Sequence, residues 1–243
     1  MLYYISYYII TNIILILILV IAIIGVINMD DIIKIKYTPL EEIKFSIYDS
    51  EISYYGGSQN WFPKKFNKIS GCGPVAAANI TAYLSQTFPD KYSALYPYNG
   101  TINKKDFINH MVEIRKYVKP GIFGLTSVAQ FADNVLAFSK SRGLSLVPHI
   151  LDDKSASIQD AINFILEALS QKLPLAILVL KHPVKEFEEY TWHWMTIMDL
   201  KLSSEDNIYY ISVSTYGEHR EINLDLLWNK RRAKHIIGLA YFT

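Results

Sequence analysis

The chain has 243 residues, 51% of them apolar, and a formal net charge of +1 at pH 7. That length fits one or two domains with a sizeable core, and the near-neutral balance gives no strong field for nucleic acid or an acidic partner. A single cysteine excludes an intramolecular disulfide and any cysteine-based zinc or iron–sulfur site within one chain.

No metal and no cofactor are expected. The six histidines show no His-Glu-x-x-His pairing or close ligand spacing. There is no phosphate loop and no Gly-x-Gly-x-x-Gly. The stretch Gly56-Gly57-Ser58-Gln59-Asn60 is not a Gly-x-Ser-x-Gly elbow, because its fifth residue is Asn60.

Residues Leu2 to Ile27 carry no charged side chain. About 20 mostly apolar residues span the hydrocarbon of a bilayer, and Tyr3, Tyr4, Tyr7 and Tyr8 cluster where an aromatic interface belt would sit. Residues 1–28 are therefore expected to form a hydrophobic helix that anchors the chain in a membrane. A cleaved signal peptide is the alternative, but no Ala-x-Ala-like site follows and no Lys or Arg precedes the apolar run. A buried soluble helix is the third reading. Lys34, Lys36 and Lys44 follow the segment, which by the positive-inside rule would leave the body in the cytoplasm. Asp30, Asp31, Glu41 and Glu42 dilute that signal. The expectation adopted is a membrane-anchored, extracytoplasmic domain, with the orientation open.

Residues 29–54 read as a linker and approach segment, and 55–243 as one domain without repeats or low-complexity tracts. A helix is expected from Pro74 to about Ser85, since proline suits the first helical position. Ala76, Ala77 and Ala78 let neighbouring elements approach it closely. Two further helices are expected near Thr126–Arg142 and Ile158–Gln171, the second with Ile158, Ala161, Ile162, Ile165 and Leu169 at helical spacing. About five strands follow, at 174–180, 192–200, 208–213, 218–224 and 235–242. A short helix, Leu224–Lys230, interrupts the last two. Helices first and an antiparallel sheet afterwards give an α+β fold. The basic run Lys230-Arg231-Arg232-Ala233-Lys234 reads as a solvated helix end, with a membrane-surface or polyanion contact as the alternative.

Cys72 stands between Gly71 and Gly73 at the entrance of the expected helix. The positive end of the peptide dipoles favours thiolate there, and the glycines leave the sulfur open to a substrate. These are the requirements of a cysteine nucleophile; the plain alternative is a small buried hydrophobe. A nucleophile of this kind needs a base. His110 lies in a polar helical stretch, His149 and His182 end apolar runs, and His219 and His235 sit beside charges, so none stands out. His193 lies inside the apolar strand Tyr-Thr-Trp-His-Trp-Met-Thr-Ile-Met. Alternation puts His193, Met195 and Ile197 on one face, with Trp192, Trp194 and Thr196 on the other. A satisfied core histidine is the plain reading. Trp61, Trp192, Trp194 and Trp228 could line a cleft, though core packing is the plainer role.

Gly71-Cys72-Gly73-Pro74 at a helix start, an upstream glutamine and an aromatic-flanked histidine on a later strand resemble the papain-like fold, and more narrowly the bacterial peptidase C39-like group. The resemblance runs from about Gln59 to the C-terminus. It implies a thiol peptidase acting on a peptide or protein. Cys72 would be the nucleophile and His193 its thiolate–imidazolium partner. Gln59 and the Cys72 backbone N–H would be the oxyanion donors. The family's orienting residue is Asn or Asp, often within Asn-Ser-Trp-Gly; here the matching stretch is Ser214-Thr215-Tyr216-Gly217. Ser214 falls where the asparagine belongs, and Thr215 would serve if the register slips. Asp199 shares the nominal face of His193 but stands about 20 Å along the strand. A papain-like acyltransferase or amidase, and a catalytically weak peptide-binding relative, are the competing readings.

Overall fold

The computed structural model describes residues 42–121, 124–152, 155–230 and 237–243. The expected membrane helix, the start of the expected linker and most of the basic run lie outside these residues. Among the described residues no helix is long and apolar enough to cross a membrane.

The described chain opens with β1 (Ser46–Asp49) and β2 (Ile52–Tyr55), an antiparallel hairpin. Four helices follow: α1 (Lys65–Ile69), α2 (Cys72–Thr87), α3 (Pro89–Tyr92) and α4 (Lys104–Ile114). Next come α5 (Val128–Ser141), β3 (Pro148–Leu151), α6 (Ile158–Ser170) and β4 (Leu175–Val179). The chain then runs through β5 (His193–Leu202), β6 (Tyr209–Thr215), β7 (Glu218–Asn223), α7 (Leu224–Asn229) and β8 (Ile237–Phe242). β3 to β8 form one antiparallel sheet in the order β3-β8-β4-β5-β6-β7. The expected mixture of helices followed by an antiparallel sheet is present.

Three local features of the sequence account for most of this. α2 is buried on every side from Gly73 to Ser85, and a helix without a polar stripe belongs in the centre of a fold. α6 starts at a capping box in which the Ser157 hydroxyl and the Asp160 carboxylate serve each other's backbone N–H. β4 is buried at all its positions, as befits a strand flanked by β5 and β8.

The structure departs from the expectations at several points. Residues 42–54 are not merely a linker: Ile43 and Phe45 are buried, and Ile47 is buried within the hairpin that follows. Alternate apolar residues in this short stretch find a core to pack on. α2 begins at Cys72 rather than Pro74. Pro74 then sits at the third helical position, where its missing N–H is still one of the four that lack an intrahelical acceptor. β3 joins as a sixth strand in the main sheet, pairing with β8.

One constraint ties the hairpin to the sheet. Gly56, at φ +76°, packs so closely that an added Cβ would lie 2.1 Å from the Ser214 hydroxyl oxygen. A side chain there is strained twice, by the left-handed backbone and by the overlap. Gly56→Ala is expected to lower the unfolding free energy by about 1–3 kcal/mol or more, read from the midpoint of a urea titration at unchanged slope.

Candidate functional site

Four segments converge. Gln59 opens a one-turn 3₁₀ helix (Gln59–Trp61) that Ser58 caps. Cys72 is the first residue of α2. His193 is the first residue of β5. Ser214 and Thr215 end β6, and Tyr216 follows. All six residues line one small cavity of about 10 Å³, room for about a single water. The four side chains singled out in the sequence are thus brought to one place.

Cys72 is half-buried, and its thiol faces the Trp192 carbonyl oxygen at 4.0 Å. Enclosure of the sulfur pushes the thiol up from its ordinary value; the backbone N–H groups of Trp194, Gly73 and Cys72 itself act the other way. The expected thiolate at the helix start is therefore corrected. A helix end contributes typically 0.3–1 kcal/mol, and burial outweighs it.

His193 is 5% exposed. Burial lowers its pKa to about 4, so the imidazole is neutral near pH 7. Its Nε2 shares a hydrogen bond of 2.8 Å with Thr215 Oγ1. That leaves Nδ1 as the ring nitrogen available for proton transfer. The Tyr216 ring stacks on the imidazole, with centroids 4.8 Å apart and planes 15° from parallel. Burial thus works against the charged form of both side chains, and so against the ion pair expected from the sequence.

Ser214 is not the residue that meets the imidazole. Thr196 pairs with Ser214 across β5 and β6, so these two share a face. Alternation then puts His193 and Thr215 on the other face. Ser214 Oγ donates to the Tyr55 carbonyl at 2.7 Å and accepts from Asn79 Nδ2 at 3.2 Å. Asp199 is removed from the His193 face altogether: the register shifts between Ile197 and Asp199, and Asp199 stands opposite Ser212.

Gln59 is partly buried, and its Oε1 is buried without a hydrogen-bond partner. A buried polar atom without a partner is unusual. The glycines beside Cys72 serve packing rather than access. A Cβ on Gly71 would lie 2.4 Å from the Asn67 carbonyl oxygen, and one on Gly73 would lie 3.2 Å from Leu125 and 3.5 Å from Trp194.

The other aromatic and histidine expectations divide. Trp194 and Trp228 are core residues, Trp194 stacked on Phe131 at 4.3 Å. Trp192 is 54% exposed. His110, placed by sequence in a polar helical stretch, is fully enclosed beside Thr81 at 2.8 Å. His235 lies outside the described residues.

Asn79 was missed. It is wholly buried on α2 and bonds Gly57, Thr196 and Ser214. The available signal was an amide within Ala-Ala-Ala-Asn-Ile, about two turns beyond Cys72 and hence on the same helix face.

No family model matches the chain, and no curated protein matches it. Among solved structures it is similar to the Pseudomonas avirulence protein AvrPphB, at 12% identity with a TM-score of 0.34, over 74% of this chain and 95% of that one. A likeness that distant does not bear on the chemistry.

The buried imidazole makes stability depend on pH. Unfolded, His193 takes its proton near pH 6.5; folded, only near pH 4. Between those values the unfolded chain binds the extra proton, so acidification from about 6.5 to 4 destabilises the fold. His193 contributes on the order of 3 kcal/mol to this loss. His110, lowered to about 3 by burial, adds to it in the same window. Urea midpoints measured at intervals across that range are expected to fall less steeply in His193→Gln than in the wild type.

Proposed function

We propose that this protein is a papain-like cysteine peptidase that cleaves amide bonds, and more narrowly one of the peptidase C39-like kind. The carrying observation is the convergence of Cys72 and His193 on one cavity, with Nε2 held by Thr215 and Nδ1 free. The ring over the imidazole and the place of Gln59 in the lining of the same cavity support the same reading.

In this reading Cys72 Sγ attacks the carbonyl carbon while its proton passes to His193 Nδ1. A low imidazole pKa and a raised thiol pKa make this a transfer during attack rather than before it. The carbonyl oxygen becomes an oxyanion, met by the Cys72 backbone N–H and the Gln59 amide. Collapse of the adduct breaks the C–N bond, and the amine leaves with the proton from His193. Water then attacks the thioester, giving its proton to His193, and the carboxylic acid and the free thiol are released. Thr215 keeps the ring from turning through these steps.

We further propose that residues 2–27, apolar and without charge, hold this domain at a membrane.

A peptide library incubated with the protein is expected to gain new amino termini. Cys72→Ala should abolish the gain, and His193→Ala should lower it by about 10²–10⁴. Thr215→Val should lower turnover more than Ser214→Ala does. Cleavage that survives Cys72→Ala would overturn the proposal. Transfer of the acyl group to an added amine in place of water would make the protein an acyltransferase.

The turn after β6 allows a second test. Tyr216 and Gly217 form a two-residue hairpin loop with φ +54° and +81°, a pattern that favours Asn-Gly. Tyr216→Asn is expected to hold or raise the melting temperature while slowing turnover, because the turn relaxes and the imidazole loses its stacked ring.

A further inference from the structure

Asn79 sits where a helix interior would ordinarily take an apolar residue. Its neighbours on α2 are Ala76, Ala77, Ala78 and Ile80, all buried. A buried amide costs free energy unless its groups are paired, and this one is paired completely. Oδ1 accepts from the Gly57 backbone N–H at 2.9 Å. Nδ2 donates to Thr196 Oγ1 at 3.1 Å and to Ser214 Oγ at 3.2 Å. That uses both N–H groups and the oxygen.

The three partners lie on three different segments, each adjacent to a residue of the site. Gly57 stands two residues before Gln59, Thr196 three after His193, and Ser214 one before Thr215. Asn79 itself shares the helix with Cys72. One side chain therefore fixes all four segments against each other. The link to Gly57 is the most exacting. Gln59 Oε1 has no hydrogen-bond partner, so the place of this side chain is set by the backbone that carries it. That backbone is clamped by Asn79 on one side, and on the other by Ser214 through Tyr55 O at 2.7 Å.

We propose that Asn79 is a positioning residue for the acyl-transfer step: it never touches substrate, and it holds the Gln59 amide at the place where the oxyanion forms. This rests on the thiol-peptidase reading above. It goes further in assigning to a helix-buried amide the part of the rate that depends on oxyanion stabilisation, as distinct from the part that depends on the nucleophile.

Two reactions of the same sulfur separate those parts. Acylation of Cys72 by a p-nitrophenyl ester passes through an oxyanion and is read as the burst of nitrophenol. Alkylation by iodoacetamide is a displacement at a saturated carbon and forms none. In Asn79→Ala the acylation rate is expected to fall about 10-fold or more, towards the 10²–10³ of a lost oxyanion donor. The alkylation rate should stay within about threefold of the wild type. Should Asn79→Ala not fold, the double variant Thr196→Val/Ser214→Ala removes both acceptors of Nδ2 from outside the helix. It is expected to lower the same ratio several-fold. An unchanged ratio of the two rates, with only a lower melting temperature, would overturn the positioning role and leave the peptidase reading standing. A wild-type protein that shows no Cys72-dependent acylation would overturn both.

Discussion

The pairing of Thr196 with Ser214 across β5 and β6 decides what every nearby side chain can do. Side chains alternate along a strand, so a slip of one residue would exchange the two faces. With this register, Thr196 and Ser214 point to the amide of Asn79, and Thr215 points to the imidazole of His193. The bulge beyond Ile197 is part of the same arrangement. It returns Asp199 to the face of Ser212 and keeps a buried carboxylate away from the ring. A charge beside that ring would raise its pKa, whereas the ring as found is held low by burial alone.

That absence of charge is the second organising fact. Cys72 is raised and His193 lowered, both chiefly by burial. A helix start and three backbone N–H groups pull the thiol towards ionisation, yet a contribution of about 1 kcal/mol moves a pKa by less than one unit. Burial can move it by several. Both side chains line a small cavity with room for about one water. In the proposed reaction, charge separation is left to the moment when a substrate carbonyl supplies somewhere for the electrons to go. A neutral orienting hydroxyl suits this arrangement. Thr215 fixes the ring by a hydrogen bond without stabilising an imidazolium in advance, as a carboxylate would.

Much of this was legible in the chain, and the reasons for the rest are local. Ile158, Ala161, Ile162, Ile165 and Leu169 marked α6 almost to the residue, because an amphipathic period survives any packing. β4 to β8 were legible as apolar or alternating runs for the same reason. β1, β2 and β3 were missed, since each has only four residues and their pairing partners are remote. Cys72 and His193 could be singled out because each broke its surroundings: a lone thiol among glycines, an imidazole in an apolar strand. The choice between Ser214 and Thr215 could not be made. It depends on register, and register is set by the bulge and by Asn79, neither of which has a signature in single-residue propensity. A helix start is visible in sequence and the burial of one sulfur is not, so the pull of burial on Cys72 could not be read there.

Backbone strain at the ends of β5 and β6 belongs to the same logic. Trp192 and Tyr216 both adopt left-handed backbone, at φ +59° and +54°. Bulky side chains avoid that region, at a cost of about 1–3 kcal/mol each. Among the described residues, the other non-glycine positions with positive φ, Ser50, Lys172 and Asn207, carry small or polar side chains. At Trp192 the unusual backbone anchors its N–H on the Leu180 carbonyl at 2.7 Å and turns its own carbonyl onto the Cys72 thiol. At Tyr216 it lays an aromatic ring flat against His193. Glycine at either place would relieve the strain, and at Tyr216 it would also lose the ring. Two strained aromatics stand at the strand ends that present His193 and Thr215, where folding alone would favour glycine or asparagine. That is the distribution expected when the position of an imidazole matters more than the ease of a turn.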